Sequence, residues 1–230
     1  MFKGIGILNR STGISNNDVQ KIASACSTQI SRDVSPAWNK LAIPVKYYAS
    51  ENQVPSNYAI LSMMDFSDVE GALGYHTETL NGRVIGKVFV KTIMGYGLKT
   101  LFDNGWLTVS SVVSHEVLEM IFNPFVDIWA DGPEIEGGSE YAYEVCDPVE
   151  ANCYTITATN SKVTVSNFVY PEWFDEYSPA GTKYDHMRVL NRPLSLSQYG
   201  YMVVRSAPGA ETEVFGAKYP EVLKKIKGMK

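Results

Sequence analysis

The sequence predicts an α+β fold: a small, twisted, mixed sheet with a backing helix, a second helix bearing the chemistry, and a loop- and β-rich lower part. Three observations lead there. Short apolar runs bounded by Gly, Pro, Asn and Asp recur between residues 4 and 93, as strands do. One amphipathic stretch, 17–33, stands between the first two of these runs. A second apolar stretch, 107–124, continues without a turn signal until Asn123-Pro124.

The elements follow in order. Residues 4–8 form a first strand, ended by the turn cluster Asn9-Arg-Ser-Thr-Gly13. Ser15-Asn-Asn-Asp18 is a helix entry, and Val19, Ile22, Ala23, Cys26 and Ile30 then recur at three- and four-residue spacing, so this helix lies on the sheet. Ser35-Pro-Ala-Trp38 closes it. Residues 42–49 read as the next strand, and 58–65 as a third, apolar enough to be central. A loop follows through Gly71 and Gly74. Residues 82–93 alternate in polarity, which fits a half-exposed edge strand.

The helix at 107–124 has Thr or Ser to cap its start and Asn-Pro to stop it. Val112, Val113, Leu118, Ile121 and Phe122 predict one buried stripe, and His115, Glu116 and Glu119 lie on the opposite one. His115 and Glu119, four residues apart, stack on one face within reach of a single ion. Glu116 is rotated by roughly 100° from His115 but stays adjacent, where the general base of a zinc hydrolase sits in the related H-E-x-x-H arrangement. The pattern here is H-E-x-x-E; a carboxylate is a legitimate zinc ligand but makes the metal a weaker Lewis acid. The other reading is a helix with a solvated or salt-bridged Glu pair and one polar His.

Beyond the helix, 127–138 is a turn-rich acidic loop, 141–150 approaches a strand, and 153–159 with 162–166 form a polar β-hairpin. Residues 167–174 are an aromatic loop, and 199–205 a closing strand. The chain is expected to be one domain, 1–230, with 1–125 as its upper part and 126–230 as the lower part completing one cleft.

Composition narrows the function. Of 230 residues, 45% are apolar and 20% charged, which suits a globular protein with a real core. A net charge of −5 argues against a nucleic-acid partner, which needs clustered Lys and Arg. The basic run Lys218–Lys230, with Lys224, Lys225, Lys227 and Lys230, reads as a solvated helix end. Cys26, Cys146 and Cys153 are too few for a disulfide scaffold; Cys146 and Cys153 either bridge a hairpin or stay buried as thiols. No signal peptide or membrane span is legible, so no membrane partner and a cytoplasmic location are expected, unless the protein is assembled into a virion. Phosphate loops, G-x-S-x-G elbows and dinucleotide fingerprints are absent from the sequence.

The order of elements, together with Ser114-His-Glu-Val-Leu-Glu-Met120, resembles the zincin metallopeptidases over roughly the first 150 residues. The chain also resembles a group of uncharacterised bacterial and phage proteins through Ser31-Arg-Asp-Val-Ser-Pro-Ala-Trp38, Ala72-Leu-Gly-Tyr-His76 and Glu144-Val-Cys-Asp-Pro-Val-Glu150. The zincin resemblance implies a cleft under an antiparallel edge strand, to which a peptide or protein substrate adds as a strand. It further implies Zn2+ held by His115 and Glu119, with Glu116 as base. Asn123-Pro-Phe125 after the helix excludes the metzincin pattern, and the gluzincin pattern points to Glu144 as the nearest third ligand, with Asp147 as the alternative and His186 or His76 as outsiders. Glu144 and Asp147 otherwise cap a turn or pair with Arg188 or Arg192; His76 and His186 otherwise read as loop histidines. Tyr141 or Tyr184 are candidates to steady an oxyanion. The second function class is a non-catalytic phage virion or assembly protein on the same scaffold, whose partners are other virion proteins; altered ligands and abundant aromatics motivate it.

Overall fold

The computed structural model describes residues 2–135, 137–206, 209–220 and 223–224. Its first layer is a five-stranded sheet of β1 (Ile5–Asn9), β2 (Val45–Tyr48), β3 (Ala59–Met64), β4 (Gly74–Glu78) and β5 (Val84–Phe89), in the order β2-β1-β3-β5-β4. The first four in that order run parallel, and β4 alone is antiparallel. Parallel neighbours need a crossover, and α1 (Asn16–Gln29) supplies the one between β1 and β2. Ser15 caps it by accepting a hydrogen bond from Asp18 N, and Val19, Ile22, Ala23 and Cys26 form its buried face as predicted.

The helix does not stop near Asp33. It widens into a π-turn over Ile30–Val34 and continues as α2 (Ser35–Trp38), which contains Pro36. Proline lacks an N–H and its ring crowds the preceding turn, so a locally wider helix accommodates it. The added residue aims Trp38 inward: its ring packs 4.3 Å from that of Phe122 and its Nε1 donates to Val169 O at 3.1 Å.

The edge strand differs from expectation. Residues 82–93 were read as the edge; β5 instead lies between β3 and β4, and Val90–Gly95 turns into a short helix, α3. The true edge is β4, within and just past the stretch read as a loop. Alternation reports that one face is covered, not which strand flanks the sheet. An edge strand paired by its backbone needs no apolar run, which is why Gly-Tyr-His-Thr-Glu escaped notice.

The second helix, α4 (Val109–Phe122), begins at a capping box in which Thr108 and Ser111 exchange side-chain to backbone bonds, and ends at Asn123. It was expected to bury one stripe. It is buried on nearly every side, because β4 and β5 cover one face and a separate hairpin, β8 (Cys153–Ala158) with β9 (Ser161–Ser166), covers another. Serines make that second contact: Ser110 Oγ donates to Thr164 O at 2.7 Å, and Ser114 Oγ accepts from Ser166 N at 2.7 Å. The hairpin was expected to be polar, yet Ile156, Val163 and Val165 are buried. Thr159 and Asn160 both take positive φ, the left-handed conformation of a two-residue hairpin turn.

A four-stranded antiparallel sheet completes the chain, in the order β11-β10-β7-β6: β6 (Trp129–Ile135), β7 (Gly138–Ala142), β10 (Tyr201–Arg205) and β11 (Glu211–Phe215). The acidic stretch read as a loop forms β6, and β11 was not anticipated. Glycine, proline and glutamate mask β6, and its pairing with β7 is irregular between Asp131 and Ile135. All three cysteines are free and buried, so Cys146 and Cys153 form no bridge. Lys225, Lys227 and Lys230 of the basic run lie outside the described residues. Among the described residues no helix is long and apolar enough to cross a membrane.

Gly200 ties β10 to the turn after β7. A Cβ there would meet Pro148 O at 2.0 Å and Pro148 C at 2.3 Å, both backbone atoms, so β10 starts hard against the turn that carries Asp147. Gly200→Ala is therefore expected to cost about 3 kcal/mol or more, read by urea denaturation; a loss below about 0.5 kcal/mol would show that the turn yields freely.

Candidate metal centre

α4 presents His115, Glu116 and Glu119 to a groove bordered by β4 on one side and by β10 and β11 on the other. The groove has two adjoining lobes of about 280 and 330 Å³ that share Gly74, His115, Glu116 and Tyr201. Leu73, Leu107 and Val112 line the first lobe; the second holds Glu119, Glu144, Asp147 and His76.

His115 Nε2 stands between two carboxylate oxygens, 3.0 Å from Glu119 Oε2 and 3.2 Å from Asp147 Oδ1. Asp147 Oδ1 is buried and lies out of line for a hydrogen bond despite its distance. A tetrahedral zinc site with bonds of ~2.0–2.1 Å places its donor atoms roughly 3.3 Å apart, so each distance from His115 Nε2 is of ligand–ligand length. Cys146 Sγ is also within 4.8 Å of both His115 and Glu119 ligand atoms. The other Glu119 oxygen, Oε1, accepts from Cys146 N at 3.1 Å, which holds the carboxylate in place.

A second group adjoins the first. His76, on β4, donates through Nε2 to Asn123 O at 2.9 Å and turns Nδ1 toward Glu116 Oε2 at 3.4 Å. His76, Glu116 and Glu119 also bring one ligand atom each within 4.8 Å of one another. Glu144 Oε1 accepts from Asn123 Nδ2 at 2.8 Å, and its Oε2 is buried with no hydrogen-bond partner. Asn123, read only as a helix stop, is thus an organiser: its Oδ1 also accepts from Asp127 N and Ile128 N, both at 3.0 Å.

The field favours positive charge here. Burial alone would lower His76, but Glu116, Glu144 and Glu119 raise it to about 9. His115 is likewise pushed well above its usual value against its burial, by Glu119 and Asp147. Burial raises Glu119, helped by the Asp147 charge, and burial with the Glu119 charge raises Glu144. Burial lifts the Cys146 thiol well above its ordinary range.

The structure therefore brings together His115, Glu116, Glu119, Glu144 and Asp147, all anticipated. It divides the two candidate third ligands: Asp147 faces His115, whereas Glu144 sits with Asn123 near His76. Neither pairs with Arg188 or Arg192 among the described residues. His76 is a strand residue rather than a loop one. His186 belongs elsewhere, stacked on Phe168 and 4.0 Å from Asp33 Oδ2. Tyr141 and Tyr184 donate to the carbonyls of Pro133 and Pro179, so neither serves this groove. The tyrosine that lines both lobes is Tyr201, which no local pattern singled out because its place depends on β10 pairing with β7 and β11.

No family model, curated protein or solved structure matches the chain.

Asn123→Ala leaves the Glu144 carboxylate without its donor and two loop N–H groups without their acceptor. It is expected to cost roughly 2–4 kcal/mol by urea unfolding, since each stranded buried polar group costs about 1–3. A change under about 0.5 kcal/mol would mean that the loop reorganises and Asn123 holds nothing.

Proposed function

We propose that the protein is a zinc-dependent hydrolase of the metallopeptidase type on a zincin-like fold, with His115, Glu119 and Asp147 holding the ion and Glu116 as general base. The observation that carries this reading is His115 Nε2 flanked by two buried carboxylate oxygens at 3.0 and 3.2 Å, at the floor of a groove. The antiparallel edge strand β4 beside that groove, and the helix beneath it, support the zincin-like reading.

His115, Glu119 and Asp147 would hold the ion, which when bound would supply Lewis acidity and make water in the groove more acidic. The rest falls to the chain. Glu116 is held from both sides, with Oε2 toward His76 and Oε1 over Gly74, where a Cβ would stand only 2.7 Å away. A carboxylate so confined is placed to take a proton from water in the groove and return it to a leaving amine. Tyr201 is kept protonated by burial and by the Asp147, Glu150 and Glu119 charges, so its hydroxyl remains a donor for developing negative charge. The backbone of β4 offers an extended peptide the hydrogen bonds of a further strand.

The reading as a non-catalytic virion protein drew on abundant aromatics. Trp38, Tyr141, Phe168, Trp173 and Tyr184 are buried, Phe66, Tyr96, Phe125 and Tyr177 are exposed, and most of the other aromatics are partly exposed.

Protein purified without chelator is expected to carry at least one equivalent of zinc by elemental analysis. Glu119→Ala should lose it. Glu116→Gln should keep metal at His115 while hydrolysis of a quenched-fluorescence peptide library falls roughly 100-fold or more. Metal-free wild-type protein that takes up no zinc would end the proposal.

A further inference from the structure

We propose that the groove holds a second divalent cation, bound by His76, Glu116 and Glu119, with Glu144 Oε2 as a further donor and Glu119 shared with the first ion. The inference rests on the first ion of the proposed function and adds a neighbour to it.

Three independent features point to the second ion. A backbone carbonyl only accepts, so the 2.9 Å contact from His76 Nε2 to Asn123 O fixes the proton on Nε2. Nδ1 faces Glu116 Oε2 at 3.4 Å, and His76, Glu116 and Glu119 each bring one ligand atom within 4.8 Å of the others, a gap that a proton or a metal ion can fill. A histidine whose far N–H is tied to a carbonyl is also the usual arrangement of a metal ligand.

The second feature is Glu144. Its residue is only 8% exposed, Asn123 orients one oxygen, and the other has no hydrogen-bond partner although it is buried beside the groove. A buried carboxylate oxygen without a donor is costly unless a cation meets it.

The third is charge. Glu116, Glu119, Glu144 and Asp147 are all buried, and among the described residues no Lys or Arg lines this lobe of the groove. Glu116 can offer Oε2 to the second ion and keep Oε1, over Gly74, for the proton.

The competing occupant of the gap between His76 and Glu116 is a proton. Full-length protein stripped of metal and dialysed against excess Zn2+ distinguishes them. Wild type is expected to bind two equivalents, and His76→Ala and Glu144→Gln one each, with far-ultraviolet circular dichroism verifying the fold. Should either variant unfold, Mn2+ loaded into wild type gives a second reading: an exchange-coupled electron paramagnetic resonance signal is expected in place of the six-line spectrum of an isolated ion. A single equivalent in wild type with a six-line Mn2+ spectrum overturns this inference and leaves the one-metal hydrolase standing. Two equivalents that survive both substitutions also overturn it. No uptake at all overturns both proposals.

Discussion

Four buried carboxylates and two imidazoles gathered at one groove, with no lysine or arginine lining it among the described residues, are the constraint around which the protein is built. Such a cluster is expensive in a low-dielectric interior. Backbone and amide groups hold three of its members in one orientation: Cys146 N donates to Glu119, Asn123 Nδ2 donates to Glu144, and Asn123 O accepts from His76 Nε2. The donors come from the helix end and from the turn after β7, so the positions of these elements are set by the same groups that orient the acids.

The scaffold serves that end. α4 is enclosed by strands on one side and by a hairpin on the other, and its serines satisfy the hairpin backbone where apolar residues would leave polar groups unmet. An apolar helix that also carries acids is therefore packed on both of these faces. Preorganisation of this kind is what a site needs if its ligands are to meet an ion without rearrangement.

Local patterns carried much of this. Helical spacing placed His115 and Glu119 on one face, and the apolar runs located β1, β2 and β3, with β3 inside the sheet as its uniform apolarity implied. What stayed hidden depended on pairing between distant segments. β4 has no apolar signature, so the strand that carries His76 read as loop; β6 and β11 are polar strands made by antiparallel partners. Asp147 and Glu144 were both visible as acids near one another, but only the turn at Asp147–Val149, pressed against Gly200, decides which faces His115. Tyr201 and Asn123 carry no motif at all.

The π-turn at Ile30–Val34 reaches further than its length suggests. One surplus residue in a helix advances everything after it by about a quarter revolution. Trp38 is thereby wedged against Phe122 at the foot of α4, so the phase of one helix registers the end of the other. Trimming a single residue from that turn would swing the indole out of its slot without touching an acid, and the groove would lose its anchorage from behind.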